Sequence, residues 1–355
     1  PYSILLPSCR AGMSWALEIS TASPKKVVCS AYTCTTVIES IIRSGSQLVG
    51  IDIARDGFLP DSASLKSIKY QSIVLSEIYG YTYDLALWKL TNSLSGIRIV
   101  DMAMTVPSPR HFQRLNSTDF AVISFGTGKC LYAGWGGMGF THDRNIVTEI
   151  RKWRDKRIAK ETLSLLIKHS LELLFRNILR NPALYGYYFK ISALKRTTKD
   201  KLEGSDVLDQ AIFVKQSPSR EWYMPTTSID RYLMLHNLKC ASEYVRKRIA
   251  ITNQYRKNLK DVNGLLLPLI SKDALSHYTI RVNQRLRDKL IQCLYDMGIE
   301  TGTLFFLSRI FNKQDFPNAA HAAAEIINLP IDVRMLLSDV DWICDCLLKS
   351  LKQVQ

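Results

Sequence analysis

The sequence predicts an α/β protein built on a largely parallel sheet, and three observations carry that expectation. Short apolar, β-branched runs recur through the first 150 residues, helical patterns separate them, and polar residues end several of the runs. Sheets of this kind are covered by helices on both faces and bind ligands beyond the C-terminal ends of their strands.

Taken in order, 26–30 reads as a strand and 36–43 as a helix stopped by Gly45. Strands follow at 47–52 and 72–75, a helix at 85–94, and strands at 97–101 and 120–124. Asp101 and Ser124 therefore fall where a ligand would bind. Leu163, Leu166, Ile167, Leu171, Leu174 and Ile178 share one side of a 3.6-residue wheel, opposite Glu161, Ser164, Lys168, Glu172 and Arg176. Pro182 ends this helix, and Tyr185, Tyr187, Tyr188 and Phe189 follow. A polar linker at 199–205 precedes one long helix from Ser228 to about Lys260. A strand at 278–282 and helices at 285–297 and 339–351 complete a smaller α+β unit. The expected division is a large domain over 1–227, with a helical insertion at about 151–205, and a small C-terminal domain over 228–355.

Composition narrows the function classes. The 355 residues are 46% hydrophobic and 22% charged, enough for a large core and too apolar for a disordered chain. No uncharged apolar run approaches the ~20 residues of a membrane-spanning helix. The opening Pro1–Leu6 has no charged stretch before its apolar residues, so it does not read as a signal peptide, and the lack of an initiator Met leaves upstream residues open. The eight cysteines lack CxxC spacing and the six histidines do not cluster near them. Buried thiols in the cytoplasm are expected, with no metal site.

The net charge of +15 divides unevenly. Residues 1–150 hold 13 basic and 11 acidic side chains, residues 202–355 hold 20 and 17, and residues 151–201 hold 14 and 4. The body is near neutral and the insertion is basic. Its Leu face, cations and tyrosines suit a helix lying on an anionic membrane, with contact through 151–190 at the inner membrane surface. The other reading packs the Leu face on the protein's own body and leaves a basic face in water. Nucleic acid is not expected as a partner, because the cations accompany a Leu stripe rather than stacking aromatics.

Three elements carry chemistry. Lys129 ends Ser124-Phe125-Gly126-Thr127-Gly128-Lys129 and precedes the glycines of 134–139. A phosphate-binding P-loop fails here, because Ile123 and Cys130 stand where Gly and Ser or Thr are needed. A lysine after a strand and among glycines can instead reach into a cleft as a nucleophile. Asp101 ends an apolar strand, and a buried carboxylate calls for a cationic partner. Ser8-Cys9-Arg10-Ala11-Gly12 turns into a helix whose first amides would suit an anion such as phosphate.

Together these elements resemble the DegT/DnrJ/EryC1/StrS family of pyridoxal-phosphate (PLP) sugar aminotransferases, in a branch found in exopolysaccharide clusters. The resemblance runs through Cys9–Leu17, Ser30–Thr36, Gly50–Ile53, Ile78–Gly80, Val100–Ala103, Ser124–Lys129 with the glycines beyond, Gly298–Gly302 and Asn328–Ile331. The 28-residue spacing from Asp101 to Lys129 is part of it. It implies a fold-type-I PLP transferase, with a mostly parallel seven-stranded sheet, acting as a homodimer. Lys129 would be the Schiff-base lysine and proton carrier, and Asp101 the partner of the pyridine nitrogen. Ser124 and the amides of Arg10, Ala11 and Gly12 would hold the phosphate, with the Arg10 side chain as an extra cation. The implied reaction moves an amino group, from glutamate, to a keto group of a nucleotide-linked sugar in surface-glycan synthesis.

The sequence also departs from the family. Cys34 stands where an aromatic ring usually covers the cofactor, with Tyr32 the candidate substitute. Met104 stands where a Gln usually reaches the ring oxygen, and Glu77 where a His is usual. The partner-subunit phosphate motif expected near Tyr223-Met224-Pro225 is missing. These departures carry the alternative: a catalytically weakened PLP-binding relative serving as a binding or scaffold protein.

Overall fold

A computed structural model of the chain describes residues 1–20, 25–66, 68–179, 181, 184–188, 222–269 and 271–354. The expected linker at 199–205, Pro182 and Phe189 lie outside them. The central sheet has seven strands in the order β1-β8-β7-β6-β5-β2-β4. These are β1 (Tyr2–Leu6), β2 (Lys26–Ser30), β4 (Gln47–Ile51), β5 (Ser72–Ser76), β6 (Arg98–Asp101), β7 (Asp119–Ser124) and β8 (Gly137–Thr141). All neighbouring pairs from β7 to β4 are parallel, and β8 runs antiparallel to both β7 and β1.

Alternation along the strands fills two cores. Val27, Cys29, Val74, Ile99, Phe120 and Val122 face one, and Val28, Ile73, Leu75, Val100, Ala121 and Ile123 the other. Burial on both sides is why these strands read as unbroken apolar runs rather than as alternating ones. Helices α1 (Cys9–Ile19) and α2 (Thr35–Arg43) supply Trp15, Leu17, Val37 and Ile38 to the first core. The helix expected at 85–94 is cut to α4 (Leu85–Leu90), after α3 (Ser62–Lys66). There Thr91 Oγ1 bonds back to the Leu87 and Trp88 carbonyls, both at 3.1 Å, and a single 3₁₀ turn follows.

After α5 (Pro109–Gln113) and α6 (Arg144–Arg157), α7 (Leu163–Ile178) forms as expected, but most of the Leu stripe and most of the polar side opposite it are exposed, and a third side turns inward. His169 is buried and Leu165, Leu166 and Leu173 are half-buried, whereas the rest of the Leu stripe is exposed. Among the described residues the stripe is therefore left largely unpacked on the body, against the reading that buries it there. The long helix expected from Ser228 is two, α8 (Ser228–Lys239) and α9 (Ala241–Leu259). They meet at Cys240, whose ψ opens to −3° while its amide still donates to the His236 carbonyl and its carbonyl accepts from the Tyr244 amide, both at 3.1 Å. A three-stranded sheet, β12 (Ile326–Pro330), β10 (His277–Val282) and β9 (Leu265–Leu266), packs with α10 (Gln284–Asp296), α11 (Pro317–Glu325) and α12 (Leu337–Val354). It is tied to the main body by β11 (Phe306–Leu307), which pairs with β3 (Tyr32–Thr33).

Candidate active site

Parallel register brings the site together. Ser76 and Asp101 are Cα partners at the ends of β5 and β6, and β7 ends beside them at Ser124. Beyond these ends lies a cavity of about 260 Å³. Among its lining residues are Arg10, Cys34, Asp101, Met104, Ser124 and Lys129. Six residues singled out by sequence therefore meet in one place.

Asp101 is 8% exposed. Its carboxylate accepts from Ser76 Oγ at 3.2 Å and from the Ala103 amide at 3.0 Å. Burial holds its carboxyl above the ordinary range, and Lys129 is the chief opposing influence. Lys129 is half-buried and its Nζ donates to Met104 Sδ at 3.4 Å. Cys9 sits among these groups: burial pushes its thiol up, Asp101 adds to the rise, and Lys129 and Ser124 oppose it.

The start of α1 closes one side. Ser8 caps the helix, its Oγ accepting from the Ala11 amide at 3.3 Å, while the Gly12 amide donates to the Ser8 carbonyl at 3.2 Å. Two of the three amides expected to meet an anion are thus engaged within the helix. The amides of Cys9 and Arg10 precede them in the first turn, where amides have no partner in the helix itself. Gly12 serves packing instead, because a Cβ there would lie 2.4 Å from Leu6 Cδ1. Gly137 lets β8 approach this turn, since its Cβ would lie 3.0 Å from the Cys9 nitrogen.

Tyr32 stands apart from the cavity. It is fully buried, shares a 2.7 Å hydrogen bond with the Tyr79 hydroxyl and stacks with Phe58. Tyr79 itself holds a φ of 56°, a strained conformation for a ring-bearing residue, directly after Ile78 of the cavity wall. Glu77, Ser76, Trp135 and Phe305 also line the cavity, and sequence reasoning places none of them there. Phe305 arrives because β11 pairs with β3, a contact no local pattern announces. Glu77 carried a signal, as a carboxylate next to an apolar strand. It is 2% exposed, accepts from Thr105 Oγ1 at 2.8 Å, and burial pushes its carboxyl up to about 8.

The donor set fits a phosphorylated pyridoxal cofactor. It offers an amine, a buried carboxylate short of a cation, hydroxyls, and helix amides beside the Arg10 guanidinium. The buried Trp135 Nε1 has no hydrogen-bond partner among the described residues and is a donor an anionic group would satisfy. Among the described residues no cluster of His, Cys, Asp and Glu could hold a metal ion.

Comparison with known proteins shows the family and the fold. A family model described as the DegT/DnrJ/EryC1/StrS aminotransferase family matches residues 1–194 and 227–348. The chain is 22% identical over 363 residues to the spore coat polysaccharide biosynthesis protein SpsC of Bacillus subtilis (strain 168), across 96% of this chain and 83% of that protein. It superposes on Helicobacter pylori PseC, an aminotransferase involved in the biosynthesis of pseudoaminic acid, with a TM-score of 0.73. The identity is 16%, over 99% of this chain and 87% of that one. Against NtdA of Bacillus subtilis with bound cofactor PMP the TM-score is 0.71 at 15% identity, over 99% and 74% of the two chains. At such identities the solved structures establish the fold, which is that of the fold-type-I transferases.

Proposed function

The chain belongs to the DegT/DnrJ/EryC1/StrS aminotransferase family, and from that premise we propose that it moves an amino group onto a keto sugar with PLP as cofactor. The observation that carries the reading is the meeting of Lys129 and Asp101 in one cavity at the C-terminal strand ends. The proposed acceptor is a nucleotide-linked sugar, the proposed donor glutamate, and the proposed pathway that of a surface polysaccharide. We place the enzyme in the cytoplasm as a homodimer. All eight cysteines are free thiols, which supports a reducing compartment. No described helix is long and apolar enough to cross a membrane.

What PLP supplies when bound is an electron sink for the pair left at the substrate carbon when a proton leaves it. The residues do the rest. The Lys129 amine would hold the cofactor's carbonyl carbon and would serve as the group that takes up and returns the substrate's proton. Asp101 would hold a positive charge on the ring nitrogen, and that cation would offset the cost of burying its carboxylate. The Cys9 and Arg10 amides, the Ser124 hydroxyl and the Arg10 guanidinium hold the phosphate. Arg10 is shared, since its Nη1 also lies 3.9 Å from Glu39 Oε2.

Cys34 and Met104 line the same cavity and favour the second reading, a PLP-binding relative without turnover. Mixing the PLP-loaded protein with glutamate separates the two. Conversion of the bound cofactor to pyridoxamine phosphate supports the transferase. Retention of PLP without conversion, across a panel of amino donors, supports the binding protein.

A further inference from the structure

The amphipathic helix α7 leaves an apolar surface that the reaction does not use. Leu163, Ile167, Leu171, Leu174, Phe175 and Ile178 are each 50–72% exposed. At 3.6 residues per turn they fall within an arc of about 120°. The opposite side fixes which way this arc faces. His169, 4% exposed, meets Asp230 Oδ2 through Nδ1 at 2.8 Å, and Asp230 also closes the capping box of α8. The stripe is therefore turned outward by a buried polar anchor. Leu184, Tyr187 and Tyr188, just beyond α7, are exposed as well.

The charge around this stripe is predominantly positive. Residues 151–179 carry eight basic and three acidic side chains. Arg151, Lys156, Lys160 and Lys168 are exposed and make no ion pair among the described residues. Lys160 lies three residues before Leu163, so chain length alone keeps their backbones within about 11 Å.

We propose that the outward face of α7 docks this protein on an anionic lipid surface, with the Leu, Ile and Phe side chains at the acyl boundary and the neighbouring lysines and arginines among the headgroups. A membrane interface offers both things the patch lacks, an apolar layer and negative charge beside it. A second copy of the chain fits less well. A two-fold pairing sets the same patch against itself, and that would bring two cationic segments together. Spanning is excluded for α7, because 16 residues reach about 24 Å and Lys168, Glu172 and Arg176 interrupt them. This docking does not depend on which reaction the cavity performs.

The test is flotation of the full chain with vesicles of phosphatidylcholine alone and of phosphatidylcholine with a third phosphatidylglycerol. Measurements at about 0.1 M and about 1 M salt exploit the fall in screening length from ~10 to ~3 Å. A Leu171→Glu/Phe175→Glu variant removes the apolar contact at two exposed positions, and a Lys156→Glu/Lys160→Glu variant reverses the charge. Expected are binding to the anionic vesicles only, its loss at high salt, and at least a tenfold fall in bound fraction for either variant with unchanged circular dichroism. Absence of binding to anionic vesicles, or equal binding to neutral ones, would overturn the proposal. So would light scattering that shows a wild-type dimer split to monomers by Leu171→Glu/Phe175→Glu, which would make the stripe a protein interface.

Discussion

The Glu77 carboxyl has a measurable energetic signature, and Glu77→Gln exposes it. Glu77 is 2% exposed, and burial raises its carboxyl from an ordinary 4.5 to about 8, with Asp273 and Asp101 adding to the rise and Thr105 and Arg114 opposing it. The folded state therefore holds this proton more tightly than the unfolded chain. Glu77 costs nothing below pH 4.5, and its contribution falls as pH climbs toward 8. Each pH unit in that window removes about 1.4 kcal/mol, so the loss is about 3 kcal/mol at neutral pH. Glutamine keeps an oxygen to accept from Thr105 Oγ1 and has nothing to ionise. The assay is urea unfolding of the cofactor-free wild type and variant at about pH 5 and at neutral pH. Any fixed cost of seating the amide cancels between the two conditions. The variant should gain about 3 kcal/mol on the wild type between them. Parallel stability curves across that range would refute a buried, proton-holding Glu77.

Three further substitutions probe separate parts of the account. Asp119→Ala removes the partner of Arg98, bound through two bonds at 2.9 and 2.6 Å with both side chains 1% exposed. A buried guanidinium left without its counter-charge, its Nη1 still donating to Trp88, Thr91 and Asn92, should cost about 3–5 kcal/mol in urea unfolding, and a loss under about 1 kcal/mol would contradict it. Tyr32→Phe breaks the 2.7 Å bond to Tyr79 and should cost about 1 kcal/mol while the spectrum of bound PLP stays unchanged. A shifted band would return Tyr32 to the cavity wall. Gly137→Ala puts a methyl 3.0 Å from the Cys9 nitrogen and 3.1 Å from the Ser8 carbonyl carbon, main-chain atoms that cannot rotate away. PLP should bind about tenfold more weakly or worse, and an unchanged Kd would show that this turn does not hold the phosphate.

The strands nearest the site were legible because both their faces are buried, which leaves β2, β5, β6 and β7 as plain apolar runs. Strand β8 was not, since its glycines disguise it: a Cβ at Gly139 would lie 2.4 Å from Phe120 Cζ, a constraint visible only once the strands pair. Cys34 and Tyr32 part company for a similar reason. The strand ends at Thr33 and Cys34 is the N-cap residue of α2, so alternation no longer predicts which side each faces. For α7 the wheel identified the stripe but not its direction, which the bond between His169 and Asp230 decides.

The most direct test of the central claim is reductive trapping. PLP-loaded protein is treated with borohydride, digested, and the modified peptide sequenced by mass spectrometry. The account predicts a phosphopyridoxyl group on Lys129 and its loss in Lys129→Ala. A label on another lysine, or no stable label at saturating PLP, would contradict it.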